Sequence, residues 1–373
     1  MKQPKGFEDN DHPHYVCKLK KSIYGLKQSP RQWFQTLSTH LQSIGFVAGK
    51  ADTSLFIRRK DDVQLYMVIY VDDILLTGNS PEMITNTLDK LKSKFDMKHL
   101  GFANSFLGIQ ITRTKNSFFL SQTKYAQQIL NTAGMTKCKH LANPSQTKQP
   151  DVLSSTALES DPKLYRHLVG ALQYLTLTRP DISFAVNSLC QQMHHPMPPN
   201  FNSLHRLLRY ISGTLTYGLP ISQGSTILQS FFDADWAGDK DTRRSTSGYC
   251  TFLGNTLISW SVKKQHTVAR SSIEAEYRAL AAALTDIIWL RRLLLDFNIS
   301  ITSPTTLHCD STSAIALANN PVFHSRTKHI EIDHHFIRDH IDMKTVNIFP
   351  ISTKDQVADI FTKHLSMPRY QFL

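Results

Sequence analysis

Cysteine is scarce in this chain of 373 residues: Cys17, Cys138, Cys190, Cys250 and Cys309 are odd in number, far apart, and form no C-x-x-C pair. That spacing indicates neither a disulfide framework nor a zinc site, and it fits a reducing compartment. Long apolar runs are missing as well. The most hydrophobic stretches are interrupted by Asp72 and Asp73, or by Asp286, Arg291 and Arg292, so no membrane-spanning segment is expected, and MKQPKGFEDND does not read as a secretory signal. The sequence also lacks a G-x-S-x-G turn, a P-loop and a dinucleotide-binding fingerprint. Serine ester hydrolases and nucleotide-binding enzymes of those types are therefore excluded.

Acidic side chains are unevenly distributed. Residues 1–150 carry 21 Lys and Arg against 11 Asp and Glu, residues 151–373 carry 21 against 19, and residues 101–150 contain six basic and no acidic side chains. A basic first part beside a nearly neutral second one points to a polyanionic partner for the first, because neutralised phosphates release counterions and drive binding. A solvated basic face kept for solubility is the bland alternative. Hydrophobic residues at 41% and charged ones at 19% describe a folded protein, long enough for at least two modules.

Periodicity divides the chain further. Residues 15–130 mix a helix at Pro30–Ile44 with two apolar strand runs at Leu65–Gly78 that meet at an acidic turn. A polar stretch without apolar periodicity marks a linker at 136–161. Two helical segments, LYRHLVGALQYLTL and FNSLHRLLRYISGTL, form a connector at 162–226. Strands then dominate (QSFFDADWA, and GYCTFLGN joined to TLISWSVKKQ at Gly254 and Asn255), followed by a long helix at Ile273–Phe297, a strand TTLHCD, a helix STSAIALANN and a last helix near Gln356–His364. Strands giving way to alternating helix and strand argue for a mixed sheet covered by helices.

LYMVIYVDDILLTG is the sharpest local signal, because two adjacent carboxylates sit at the tip of an apolar hairpin. Ionised groups at the edge of a buried strand pair are costly unless a cation neutralises them. Hard oxygen ligands suit magnesium, which two-metal polymerases use. An exposed DD turn is the ordinary alternative.

Tyr70, Val71, Asp72 and Asp73 form a YVDD signature, and the surrounding sequence resembles reverse transcriptases of copia-type LTR retrotransposons. LKKSIYGLKQSPRQW resembles the family segment that contacts template and incoming nucleotide, FLGIQITR its primer-gripping hairpin, and FFLSQTKYAQQIL the start of its thumb. The resemblance implies metal binding by Asp72 and Asp73 and nucleic-acid contacts by Tyr24, Gly25, Lys27, Gln28, Arg31, Tyr70 and Gly108. It also implies a third aspartate from a strand that precedes Met1. Glu8, Asp9 and Asp11 lie in a polar stretch rather than at a strand end, so polymerisation by this chain alone is not expected.

The C-terminal region resembles the family's RNase H domain, and Asp233, Glu276, Asp310 and Asp359 fall where that fold places its carboxylates. The chemistry implied is phosphodiester hydrolysis with two Mg2+ (or Mn2+) ions. Asp233 and Asp235 share a strand face by alternation, so spacing leaves both open and the resemblance favours Asp233. Glu276 lies on the same helical stripe as Leu280, Ala283 and Ile287, whereas Glu274 precedes Arg278 by four in what reads as a solvated ion pair. Asp310 closes the strand TTLHCD where a carboxylate projects at the sheet's end, an N-cap for the following helix being the alternative; Asp359, taken alone, reads as a surface helix residue.

His329, His334, His335 and His340 crowd one segment, yet no Cys or paired carboxylate completes a tetrahedral set. By resemblance this segment lies in a helix near the hybrid, where a histidine or Arg338 would touch phosphate. The expected fold class is α+β (mixed α/β): a reverse-transcriptase palm and thumb start at 1–135, the linker, the connector, and an RNase H-like domain at 228–366. Expected partners are an RNA/DNA hybrid, a template-primer duplex and other Pol or Gag-type polypeptides, in a cytoplasmic particle or the nucleus. A catalytically silent nucleic-acid-binding relic is the rival expectation.

Overall fold

A computed structural model describes residues 1–145, 161–320 and 330–373. Most of the polar half of the expected linker, and His329, lie outside these residues. The described chain separates into two compact units, Met1–Gly101 and Phe102–Leu373.

In the first unit, helix α1 (Ser29–Ser43) starts at Ser29-Pro30, where proline's fixed φ suits a first turn. Four antiparallel strands follow: β1 (Val47–Ala48), β2 (Leu55–Lys60), β3 (Val63–Tyr70) and β4 (Asp73–Gly78), paired in that order. Helix α2 (Pro81–Lys94) is capped by the Ser80 hydroxyl, which accepts from Met83 N at 3.3 Å. Strand alternation sends Leu65, Met67 and Ile69 into one core with Leu37 and Leu41 of α1 and Leu91 of α2. The opposite sheet face is only half-buried.

The second unit begins with β5 (Ser105–Phe106), β6 (Ile109–Arg113) and β7 (Ser117–Ser121), then helix α3 (Thr123–Thr132). Helices α4 (Pro162–Leu175), α5 (Ser183–Cys190) and α6 (Pro198–Gly213) pack on α3 around Tyr165, Leu168, Leu172, Phe201 and Leu208. Strand β8 (Leu219–Ser222) then pairs with β7. Residues 123–132, expected as the start of a thumb, thus share one core with the connector helices. Helix α5 went unread because SFAVNSLC is apolar on nearly every side and shows no stripe. Arg179, 2% exposed, is satisfied by Asp181 at 2.7 Å and by the Thr214 carbonyl and hydroxyl, and Tyr370 Oη donates to the Asp181 carbonyl at 2.7 Å.

The last sheet holds β9 (Leu228–Ala234), β10 (Thr246–Leu253), β11 (Thr256–Lys264), β12 (Thr305–Cys309) and β13 (Val346–Pro350) in the order β11-β10-β9-β12-β13. The first three strands are antiparallel and the last three parallel. Gly254, at φ +58°, makes the two-residue turn between β10 and β11 that its sequence announces. Parallel neighbours need crossovers. These run through helices α7 (Ser272–Asp296), α8 (Thr312–Asn319) and α9 (Glu331–Asp342), and a short α10 (Met367–Phe372) ends the chain. Alanines 275, 279 and 283 with Leu280, Leu284 and Ile287 seat α7 on the sheet over Phe232, Leu307 and Cys309. The helix expected near Gln356–His364 is instead a short 3-10 turn, Val357–Phe361. Among the described residues, no helix is long and apolar enough to cross a membrane.

Candidate active site

Four sequence-distant elements of the mixed sheet bring carboxylates to one end of it. Asp233, on β9 and 1% exposed, accepts hydrogen bonds from Thr362 Oγ1 and from Lys363 Nζ at 3.1 Å. Asp359, in the 3-10 turn and 4% exposed, accepts from the same Lys363 Nζ at 2.7 Å and from Arg369 at 3.1 Å. One ammonium therefore joins the two. Glu276, in the second turn of α7, and Asp310, just past β12, offer oxygens within 4.8 Å of each other and of Cys309 Sγ. Asp310 is half-buried, with Thr353 Oγ1 donating to it at 3.1 Å.

The electrostatics of the two halves differ. Burial, and then the charges of Asp233 and Asp310, push the Glu276 carboxyl up to about 9, although the Ala234 N–H pulls it down. Its Oε2 is buried and, among the described residues, without a hydrogen-bond partner. Asp286, a half-buried carboxylate on α7, shows the ordinary solution: burial raises it too, but Ser259 and Thr251 hydroxyls donate to it at 3.0 and 3.3 Å. For Lys363 burial works against the charge, and the Asp233 and Asp359 carboxylates outweigh it and raise the ammonium above its ordinary value. Cys309 is held as a neutral thiol, since burial and the neighbouring Glu276 raise it. Four carboxylates, one of them with an orphaned buried oxygen, suit a hard divalent cation, and a thiol held protonated is no competing soft ligand, so the residues present fit magnesium or manganese.

The surroundings of several residues left open by the sequence are distinct. Strand β9 ends at Ala234, and the Asp235 carboxylate turns back to accept from Thr246 N, with burial pushing it up to about 6. Ser311, not Asp310, caps α8, its hydroxyl accepting from Ala314 N at 3.3 Å. Glu274 does pair with Arg278, at 2.5 Å, but the glutamate is buried rather than solvated: its side chain is 4% exposed and also accepts from Arg270 N, while Arg278 is half-buried. Asp359 is a core residue, not a surface one. His334 is buried against the Tyr277 ring, and no histidine joins a group of three candidate metal ligands among the described residues. Arg338 reaches the Ala318 carbonyl and Asp342, both at 3.4 Å.

The YVDD hairpin is built differently. Tyr70 pairs with Asp73, leaving Val71 and Asp72 as a two-residue loop with Val71 at φ +51°, a conformation a β-branched residue rarely adopts. Trp33 Nε1 donates to the Val71 carbonyl at 2.7 Å and pins the loop to α1. Asp72 and Asp73 are both exposed. The desolvation cost anticipated for them does not arise in this chain, and neither belongs to a group of three candidate ligands among the described residues. Tyr24, Gly25, Lys27, Gln28 and Arg31 are all exposed, as is Tyr70. Gly108, also exposed, sits at φ +69° in the tight turn between β5 and β6.

Known proteins match this chain along its whole length. The reverse transcriptase (RNA-dependent DNA polymerase) family matches residues 1–147. The Retrovirus-related Pol polyprotein from transposon RE1 of Arabidopsis thaliana is 46% identical over 372 residues, covering 100% of this chain and 25% of that protein. A putative transposon Ty5-1 protein of Saccharomyces cerevisiae is 31% identical over 291 residues, covering 77% of this chain and 94% of that one. The chain belongs to the copia-type retrotransposon Pol family. It spans about a quarter of the length of the curated Pol polyproteins it matches first. Among solved structures, the N-terminal RNase H domain of a Mycobacterium tuberculosis protein aligns over 37% of this chain and 91% of that one, at 15% identity and a TM-score of 0.28.

In this Pol segment the sequence reading missed the residues that surround the carboxylates. Lys363, Thr362 and Arg369 follow Asp359 closely in KDQVADIFTKHLSMPR, and the i, i+4 spacing of Asp359 and Lys363 was the available signal. Gly248 on β10 left none. It pairs with Asp233, and a Cβ there would lie 2.6 Å from Phe361 Cβ and 2.8 Å from Thr362 Cγ2. Only glycine lets the turn carrying Asp359 approach the sheet this closely.

Proposed function

We propose that this Pol segment hydrolyses the RNA strand of RNA/DNA hybrids at Asp233, Glu276, Asp310 and Asp359, with two magnesium or manganese ions as cofactors. The observation that carries the reading is the buried, partnerless Oε2 of Glu276 beside Asp310, in a cluster that already includes Asp233 and Asp359. Such ions, when bound, lower the pKa of an attacking water and steady the departing 3′-oxygen. The chain's own part is to hold the four carboxylates. Strand β9 and helix α7 shield Asp233 and Glu276 from bulk water, which strengthens their hold on a cation, while Asp310 stays half-exposed at the sheet's end. Preference for a hybrid follows from sensing a 2′-hydroxyl on one strand and a deoxyribose backbone on the other.

Residues 1–135 are assigned to a reverse-transcriptase segment whose exposed Tyr24, Lys27 and Arg31 bind the duplex backbone. With Asp72 and Asp73 gathering no third ligand among the described residues, the purified chain is expected not to extend a primer. The nuclease assignment is tested by incubating the full chain with a labelled hybrid and Mg2+. Wild type should cut only the RNA strand, and Asp310→Asn should not. Equal products from both proteins, or none from a folded wild type, would refute the assignment; the second result leaves a nucleic-acid-binding relic.

A further inference from the structure

The cluster is not uniformly short of positive charge. Lys363 Nζ lies 3.1 Å from Asp233 Oδ1 and 2.7 Å from Asp359 Oδ1, the distances of charge-assisted hydrogen bonds. Among the described residues no cation is ion-paired to the other half: Glu276 Oε2 has no hydrogen-bond partner, and Asp310 and Cys309 offer ligand atoms within 4.8 Å of this glutamate. The lysine side chain is 37% exposed, in contrast to the 1% and 6% of its two carboxylate partners. A flexible four-carbon stem anchored at the surface can withdraw its charge into water, while the aspartates cannot follow.

We propose that Lys363 is the protein's own occupant of one of the two cation positions, so that divalent ions load in order: first beside Glu276 and Asp310, then between Asp233 and Asp359 by displacing the ammonium. The inference rests on the nuclease assignment above for the identity of the cluster, and it adds a role for a residue outside the carboxylate set. Two positive charges do not share one pair of carboxylates in a buried site, because their repulsion is poorly screened there. The second ion therefore binds more weakly than the first by the work of expelling the lysine. In return, the metal-free protein does not carry Asp233 and Asp359 as a buried, uncompensated pair. Lys363 acts on the ions through these aspartates and is a positioning residue.

The test is a calorimetric titration of the full chain with Mn2+, without nucleic acid, alongside melting temperatures in EDTA. Wild type should show two classes of site at least tenfold apart. Lys363→Gln should tighten the weaker class tenfold or more and melt several degrees lower in EDTA, with the deficit closed by saturating Mn2+. Lys363→Arg, which keeps the charge, should titrate as wild type does. A single class in wild type, or an unchanged weaker affinity in Lys363→Gln, overturns the proposal. Should the glutamine variant not fold without metal, its Mn2+-dependent rise in melting temperature is read instead, and a rise no larger than wild type's overturns it equally. Hybrid cleavage is scored separately: a protein that cuts but titrates identically with and without the lysine loses this inference alone, and one that titrates as expected but never cuts loses the nuclease assignment.

Discussion

Two acidic sites in one chain solve opposite problems. At the YVDD hairpin, Asp72 and Asp73 are neighbours in sequence, exposed, and cheap to keep ionised. In the mixed sheet, Asp233, Glu276, Asp310 and Asp359 come from elements as far apart as β9 and the 3-10 turn at 357–361, and three of the four are less than a tenth exposed. The contrast teaches that adjacency of carboxylates is a weak sign of a working metal site, because a hairpin tip gives it at no energetic cost. Burial is the stronger sign. A carboxylate cluster taken out of water is retained only if something compensates it, here Lys363 and Arg369 on one side and, in our reading, a divalent ion on the other.

The comparison breaks first if the wrong site carries the chemistry. Asp233→Asn should lower hybrid cleavage by about a hundredfold to a thousandfold, the loss of several kcal/mol of charge stabilisation, whereas Asp72→Asn should leave the rate within about twofold. Initial rates on a labelled hybrid measure both, and a larger loss from Asp72→Asn would reverse the assignment.

A second contrast lies in pH. The folded-state pKa of Glu276 is raised to about 9 from an ordinary 4.5, so between those values the folded protein binds more protons than the unfolded chain. Stability conferred by the protonated form is therefore present below the unfolded value and is lost as pH rises toward 9, with a slope of at most about 1.4 kcal/mol per unit. Melting temperatures in EDTA should fall over that window for wild type and more shallowly for Glu276→Gln. An equal fall in Glu276→Gln would remove this glutamate from the account.

Packing supplies a third. Gly248→Ala forces a Cβ into contact with Phe361 and Thr362 and should cost about 1–3 kcal/mol, read by chemical denaturation, with cleavage reduced as the Asp359 turn is pushed from β10. Unchanged stability would mean that the turn yields freely. The smallest effect belongs to the hairpin: Val71→Gly relieves a left-handed conformation and should stabilise the first unit by about 0.5–1 kcal/mol. Destabilisation would show instead that valine's contacts outweigh the backbone cost.

Much of the fold was legible in local pattern. Alternation and a Gly-Asn turn located β10 and β11, the apolar stripe located α7, and the acidic tip between two apolar runs located the β3–β4 hairpin. Other elements were not. Strand β13 is five residues without clean alternation, α5 shows no apolar stripe, and the 3-10 turn at 357–361 has too few residues to show a helical period.

The sequence by itself determined the family, the elements with strong periodicity and the identities of the acidic candidates, since all of these are written in short windows or in motifs. Tertiary structure alone decided that the Asp235 carboxylate accepts from Thr246 N, that Ser311 rather than Asp310 caps α8, that Glu274 pairs inside rather than in solvent, and that Lys363 stands between Asp233 and Asp359. Each of these depends on which groups burial brings face to face across the sheet, up to 130 residues apart for Lys363 and Asp233. Desolvation and charge act through space: the i, i+4 spacing of Asp359 and Lys363 signals that one pair, but no spacing encodes the reach of the same lysine to Asp233.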